Sequence, residues 1–518
     1  MTVSFNLNSE EKFQEISDQS FAVNHELLSR VDLTQPLQHR ECVPIRQAIK
    51  TAATCDFQPV SQSVTLPNET QLVYDLGELV VGHFAVDLQA TGAPMDAPLL
   101  LHVRFAETLA ELDEDAATVD SWLPLSWIQD EQRHVDVLPQ RLTFERRYSC
   151  RYIALAAVGQ SRKWQPQFSQ PVFNAEGAAI NQTVAPLTQL PEWLQTIDKK
   201  CIQTLKNTMQ VVFEDGTKRD RRLWLSDFRT QALVNYATFQ NTIVAKRCLY
   251  LFGSFMDDAG RIPADILTLT GQPVADDLFW FDYELLFPIA LADYVDTTDD
   301  LVTLRELYPV AQRVMAFLKT ELTANLVGPR QDVFIDWSSQ VDKEAAVQLQ
   351  AVMTVQRFVA LARRMTDPQL ADYEDWLTDL TQTTLDHYFD AQLNAVISGP
   401  KREISPLSQI YVLLADILPP ATTEAIIDRL LKFDLERTVT TPNTQGLLAE
   451  ALFKHHHQDD ALAVIRLFWQ GMVDRGADTF WEVYDAHDPN YSPYGSILLN
   501  GYCFGWSAYP AYLLRRYL

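Results

Sequence analysis

The chain has 518 residues, 47% of them hydrophobic, and sets 42 basic against 68 acidic side chains for a formal charge of −26. That length and apolar content exclude a disordered chain and allow two or three domains, while the negative excess disfavours nucleic acid and anionic membranes and leaves a neutral small molecule or sugar as the easier partner. The opening residues show no basic start followed by an apolar run, no later stretch approaches about 18 uninterrupted apolar residues, and Cys42, Cys55, Cys150, Cys201, Cys248 and Cys503 lack CxxC spacing, so a cytoplasmic protein with reduced cysteines is expected.

Before residue 185 the pattern has period two. Leu101, Val103 and Phe105 alternate with His102 and Arg104, and Tyr148, Cys150 and Tyr152 alternate with Arg147, Ser149 and Arg151, as half-buried strands do. Turn signals at Pro67-Asn68, Thr91-Gly92 and Gln160-Ser161 separate such runs, which predicts an antiparallel β-sandwich over roughly residues 40–175 after an irregular or helical lead-in. The acidic stretch Glu107–Asp120 reads as a solvated loop.

After Pro191 the period becomes helical: Leu194, Ile197, Cys201, Leu205, Met209 and Val212 form one stripe. Eleven further helical segments are expected near 225–240, 241–256, 278–294, 299–325, 343–365, 367–388, 404–416, 420–432, 444–456, 458–473 and 496–516. About twelve helices suggest an (α/α)6 toroid, so the chain divides into a sandwich over 1–185 and a barrel over 186–518.

Between the first two helices lies Glu-Asp-Gly-Thr-Lys-Arg-Asp-Arg-Arg-Leu-Trp-Leu-Ser-Asp-Phe-Arg, residues 214–229, with nine charged side chains around one Trp. A solvated helix face pairs opposite charges at spacings of three and four. Here Asp215, Asp220 and Asp227 fall five and seven apart behind a turn-forming Asp215-Gly216, which points to a loop delivering carboxylates into a pocket.

This string resembles the signature of the α-L-rhamnosidases of glycoside hydrolase family 78. Val73-Tyr-Asp-Leu-Gly-Glu78, Asp282-Tyr283, Phe334-Ile-Asp-Trp337, Phe480-Trp-Glu482 and Gly505-Trp-Ser507 follow in the family's order, so the resemblance spans residues 73 to 507. It implies the same two-domain fold and an inverting hydrolysis of α-L-rhamnosides. Such chemistry needs one carboxylic acid to protonate the leaving oxygen and one carboxylate to activate water. By resemblance Asp220 matches the general acid and Glu482 the general base.

Asp215, Arg219 and Asp227 suit the binding of sugar hydroxyls. Trp224 suits stacking on a sugar face or a C6 methyl, and Trp280, Trp337 and Trp481 suit walls of the site or an aglycone platform. Asp282 and Asp336 are each either helix caps or sugar ligands. Three positions depart from the family pattern: Thr217 stands where Pro is common, Ser226 where Gly is common, and Phe504 where many members have His, which makes the pocket more apolar.

No cofactor is required. His455-His456-His457 reads as a solvated helix end rather than a metal site, because adjacent imidazoles point in different directions and lack a spaced fourth ligand, and calcium stays unassigned. The resemblance implies a small-molecule rhamnoside of the plant-derived kind as partner, and it allows a homodimer. Alternatives are another (α/α)6 glycosidase, such as an unsaturated glucuronyl hydrolase, or a non-catalytic sugar-binding relative.

Overall fold

The computed structural model describes residues 23–51, 54–159, 161–269, 271–339 and 341–518. The lead-in expected ahead of the sandwich falls mostly on residues 1–22, outside the described residues, and His25–Leu28 forms one helical turn.

Nine antiparallel strands follow: β1 Gln38–Cys42, β2 Arg46–Lys50, β3 Gln58–Pro59, β4 Ser63–Thr65, β5 Gln71–Gly92, β6 Leu99–Ala106, β7 Asp130–Val135, β8 Gln140–Val158 and β9 Trp164–Gly177. Hydrogen bonding orders them β1-β9-β5-β8-β6-β7, with β2 also on β5 and β4 on β9. The long strands β5 and β8 bend and serve both layers. Asp75 on β5 faces Tyr152, beside β2 and β6, whereas Phe84 faces Phe144 and Phe173 after a register shift between Asp75 and Val80. Strands that cross a corner this way use bulges to do so. At the bend Gly77 has φ +84° and donates its N–H to buried Asp75, which also accepts from Arg151 at 2.9 Å. Leu72, Tyr74, Leu101, Val103, Ile153 and Leu155 from one layer meet Phe84, Val86, Leu142, Phe168 and Phe173 from the other in one core, the packing of a sandwich.

From Glu192 onward the chain is helical. Segments 225–237, 286–298, 344–365, 406–415, 442–454 and 505–517 pack side by side and close into an inner ring. Segments 192–208, 242–254, 301–321, 370–388, 420–430 and 458–465 alternate with them along the chain and form the outer layer. Residues 406–415 are buried at all ten positions, as a helix enclosed on every side must be. Helix Glu344–Met365 is long and apolar enough to cross a membrane, but it belongs to this inner ring and 78% of its apolar window is buried. Each of the twelve expected segments contributes helix to the (α/α)6 barrel, some with shifted ends and the last one broken.

Three boundaries differ from expectation, each where backbone is drawn off toward the cleft. The first helix ends at Thr208 because the chain turns back, Glu214 N donating to Thr208 O at 2.9 Å. Met209 and Val212 stay buried but lie outside the helix. Residues 278–280 are extended, with Phe281 N bonded to Asp332 O at 2.9 Å. The last predicted helix, 496–516, is a helical turn at Ile497–Leu499, a loop, a second turn at Gly505–Ala508 and a helix over Pro510–Tyr517.

Candidate active site

The loops that precede the inner helices converge at one end of the barrel around a cleft of about 670 Å³. Helix 225–237 begins directly after Trp224 and carries Asp227 in its first turn. Trp280 and Tyr283 precede helix 286–298, Phe334 and Trp337 precede helix 344–365, and Phe504 and Trp506 open the last inner segment.

The carboxylate loop is knitted into this rim by its backbone. Asp215 exchanges hydrogen bonds with Arg222, whose O accepts from Asp215 N at 3.0 Å and whose N donates to Asp215 Oδ1 at 2.9 Å. Gly505 N donates to Asp215 O at 2.6 Å, and Thr217 N to Cys503 O at 3.3 Å. Gly216 is dictated by crowding: a Cβ there would sit 2.2 Å from Arg219 O and 2.9 Å from the Phe504 ring.

One guanidinium joins the two proposed catalytic groups. Arg219 Nη2 donates to Glu482 Oε2, and its Nη1 lies 3.4 Å from Asp220 Oδ1. Glu482 also accepts from the Tyr494 hydroxyl and, at 3.3 Å, from Gly501 N. Three donor contacts fit a carboxylate, which only accepts. Arg219 is held in turn by Leu499 O at 2.9 Å and by the Tyr494 ring, 4.1 Å from the guanidinium carbon. Burial works against its charge, but Glu482, Tyr494 and Asp220 together outweigh this and drive its pKa further up. Glu482 lies deep, its side chain 3% exposed, whereas Asp220 reaches toward solvent at 21%.

Asp215 and Asp227 are buried beside them. Burial, with the charges of Asp220 and Asp227, pushes the Asp215 carboxyl well above the usual carboxylate range. Burial, with the charges of Glu482 and Asp220, does the same to Asp227. Asp227 lines the cleft, and among the described residues its buried Oδ1 has no hydrogen-bond partner.

Aromatic rings form a continuous floor. Trp224 stacks on Trp280 at 5.2 Å, Trp280 on Phe334 at 5.2 Å, and Phe334 on Trp506 at 6.3 Å, with Tyr283 edge-on to the first three. Phe504 packs against Trp506 at 4.9 Å on the same side.

Nine expected site residues therefore line the cleft: Asp215, Arg219, Asp220, Trp224, Asp227, Trp280, Trp337, Glu482 and Phe504. Two expected there do not line it. Asp282 points back into the barrel, where its carboxylate accepts from Phe334 N at 2.9 Å and Ile335 N at 2.8 Å and so fixes the loop bearing Trp337. Trp481 packs edge-on to Tyr502 at 5.2 Å, because neighbouring side chains in an extended segment point to opposite sides and Glu482 takes the cleft side. Asp336 is likewise a tie, accepting from the hydroxyls of Thr440 and Thr441, both at 2.9 Å.

The sequence reading missed Tyr494, Tyr283, Arg222, Asp276 and Asp277, and the wall Trp122, Leu123, Pro124 and Trp127 that the sandwich contributes. A cluster of four aromatic or apolar residues near Asp120 was the signal for that wall. The reading of Glu107–Asp120 as a solvated loop is corrected at its start: Glu107 and Glu111 are buried and hold the fully buried Lys218, the latter at 2.8 Å. Arg147 pairs with Glu214 at 2.6 Å, and Ser149 Oγ meets the Thr217 hydroxyl at 2.6 Å. The polar face of β8 thus docks onto the carboxylate loop rather than facing water, and Thr217 makes a bond that proline could not. Ser226 lies near Tyr283. At the triple histidine, His455 meets Leu413 O at 2.8 Å and His457 meets Glu424 and Asp460, and no metal-binding group of three occurs among the described residues.

A six-hairpin barrel whose aromatic cleft sets two carboxyl groups about one guanidinium has the architecture of a glycoside hydrolase. Residues 45–175 match the glycosyl hydrolase family 78 alpha-rhamnosidase N-terminal domain, and residues 190–506 match the bacterial alpha-L-rhamnosidase 6 hairpin glycosidase domain. The chain belongs to glycoside hydrolase family 78, the α-L-rhamnosidases. It is similar to a rhamnosidase from Klebsiella oxytoca solved with rhamnose bound, at 35% identity and TM-score 0.89 over 96% of this chain and 99% of that one. The fold is shared with a family 78 rhamnosidase of Bacillus sp. GL1 at 19% identity and TM-score 0.71, over 88% of this chain and 47% of that one. It is shared too with an α-L-rhamnosidase of Streptomyces avermitilis complexed with L-rhamnose, at 17% and 0.68, over 92% and 44%. No curated protein matches the chain.

Proposed function

We propose that this protein is an inverting α-L-rhamnosidase that removes terminal non-reducing α-L-rhamnose from small glycosides of the plant type, with Asp220 as general acid and Glu482 as general base. The observation that carries the proposal is the Arg219 bridge between these two groups inside one cleft. The similar Klebsiella oxytoca rhamnosidase, solved with rhamnose bound, supports the choice of sugar.

In the reaction, water gives a proton to Glu482 as its oxygen attacks the anomeric carbon. The bond from that carbon to the glycosidic oxygen breaks, and Asp220 passes its proton to the departing oxygen. The enzyme is left with a protonated Glu482 and an ionised Asp220, and exchange with solvent restores both. Asp215, Arg219 and Asp227 hold sugar hydroxyls, Trp224 and Trp280 supply an apolar face, and Trp337 and Phe504 close the sides. Six carboxyl groups and two guanidiniums line the cleft, and the field of the Glu482 carboxylate favours the positive charge of an oxocarbenium ion.

That field also weighs against an unsaturated glucuronyl hydrolase. A uronic acid would bring a further anion to a cleft whose Arg219 is already paired with Glu482 and whose Arg222 is paired with Asp276 at 2.7 Å. A cytoplasmic setting belongs to the same proposal and is supported by six unpaired cysteines.

The test is hydrolysis of p-nitrophenyl α-L-rhamnopyranoside beside other p-nitrophenyl sugars, with the first-formed anomer followed by NMR. Turnover of the rhamnoside alone with β-L-rhamnose appearing first is expected. Turnover of a different sugar overturns the substrate, and α-rhamnose appearing first overturns inversion.

A further inference from the structure

The cleft has a second wall that the family signature does not describe. Trp122, Leu123, Pro124 and Trp127 come from the connection between β6 and β7 of the sandwich and face the barrel's charged rim. None of the four carries a charge or hydroxyl, whereas the barrel side presents six carboxyl groups. Trp122 is 50% exposed, a large apolar ring at the solvent edge. Its ring lies 5.9 Å from Tyr494, which in turn meets Trp337 edge-on at 6.0 Å. An aromatic strip therefore runs from the ring that touches Glu482 and Arg219 out to solvent. Arg221, next to Asp220, lies 5.8 Å from the Trp127 ring, so the same wall flanks the proposed acid.

Direction follows from exposure. Glu482 is deep and Asp220 opens toward water, so the leaving group of a bound glycoside faces the rim where Trp122 stands. A sugar ring on that side would need several hydrogen-bonding partners for its hydroxyls, and these side chains offer only two indole N–H groups, with no acceptor. A flat aromatic ring needs only a face to stack on and loses water from both sides when it does so.

The wall is also held in place. Buried Glu107 and Glu111 at the start of its connection grip Lys218 of the carboxylate loop, and Tyr502 N donates to Glu107 Oε2 at 2.7 Å. At its other end Gln129 bonds Phe105 O at 3.1 Å and Ser149 O at 2.7 Å. Across the cleft, Gly495 has φ +84° and a Cβ there would lie 2.5 Å from Asp120 O, so the connection seats directly against the segment bearing Tyr494. A wall anchored on both sides binds without first being ordered.

We infer that the sandwich segment Trp122–Trp127 is the leaving-group subsite of this enzyme and selects rhamnosides of planar aromatic aglycones. This rests on the rhamnosidase reading above. The experiment compares 4-methylumbelliferyl and methyl α-L-rhamnopyranoside as substrates of wild type, Trp122→Ala, Trp127→Ala and Trp122→Phe. The ratio of kcat/KM for the aryl over the methyl glycoside is expected to fall about tenfold in the alanine variants, mainly through KM, and to be largely restored in Trp122→Phe. An unchanged ratio overturns the inference, including the case in which both substrates suffer equally because the segment only packs the domains together. A turnover-free readout is calorimetric binding of 4-methylumbelliferone itself, expected to weaken several-fold in Trp122→Ala; equal binding overturns the subsite. Wild type that binds this aglycone and hydrolyses no rhamnoside would overturn the rhamnosidase reading and leave the aromatic subsite standing.

Discussion

The two walls of the cleft are built on opposite physical terms. The barrel wall concentrates ionisable groups at the starts of inner helices, where burial and mutual repulsion push Asp215 and Asp227 well above the usual carboxylate range. The sandwich wall offers four apolar side chains and no charge. Groups that must protonate, deprotonate and bind hydroxyls need fixed dipoles and neighbours of like charge, and a barrel of buried helices supplies the rigid mount. A surface that only excludes water from an aglycone can sit on a connection between strands, where sequence is free to vary. Chemistry and selectivity are thereby divided between domains.

The largest effect should come from the barrel wall. Asp220→Asn and Glu482→Gln are each expected to cost on the order of a thousandfold in kcat on p-nitrophenyl α-L-rhamnopyranoside, while far-ultraviolet circular dichroism stays unchanged. Retention of more than a tenth of wild-type kcat in either would remove that residue from its role. Asp227→Asn should follow. Asp227 lines the cleft and its buried Oδ1 has no partner among the described residues, and leaving one buried hydrogen-bonding group unsatisfied costs about 1–3 kcal/mol, or on the order of fivefold to a hundredfold in kcat/KM.

Whether the walls work as one unit is decided at Lys218. Lys218→Met leaves Glu107 and Glu111 buried without their cation. Breaking a buried pair in this way costs about 3–5 kcal/mol of stability, to be read by urea denaturation, and should lower kcat/KM by about tenfold as the carboxylate loop loses its seat. Normal stability would mean that the domains do not depend on this contact.

The smallest effect lies behind the barrel wall and should touch neither activity nor selectivity. Burial pushes the Glu284 carboxyl from its ordinary value near 4.5 up to about 8, with Arg261 and Arg330 only partly opposing it. Because the folded value is raised, the protonated form's contribution to stability is full below about pH 4.5 and is lost as pH rises through about 8. Thermal melts across that range should show the wild-type Tm falling more steeply than that of Glu284→Gln. Parallel curves would refute the assignment.

Much of this was legible in the residues. The stripe from Leu194 to Leu205, the spacing of Asp215, Asp220 and Asp227, and the aromatic setting of Glu482 each follow from a local rule, and all three carboxylates of the loop do reach the cleft. Misreadings arose where a side chain's direction depends on a partner far away in sequence. Asp282 and Trp481 lie beside cleft residues in the chain yet face the other way. Tyr494 carries no motif, and its bond to Glu482 exists only because the loop after Gly476 doubles back.

By itself the sequence determined the alternation of twelve helical segments, the two-domain order and the identity of the carboxylate loop, because periodicity, turn residues and charge spacing act over a few neighbouring residues. Tertiary structure alone decided which acids face the cleft, which of the loop's cations bind the sandwich instead of the sugar, and that Trp122 and Trp127 complete the site. Those outcomes depend on contacts spanning up to 395 residues, as between Tyr502 and Glu107, and no local pattern encodes the direction from which a distant carboxylate or ring will arrive.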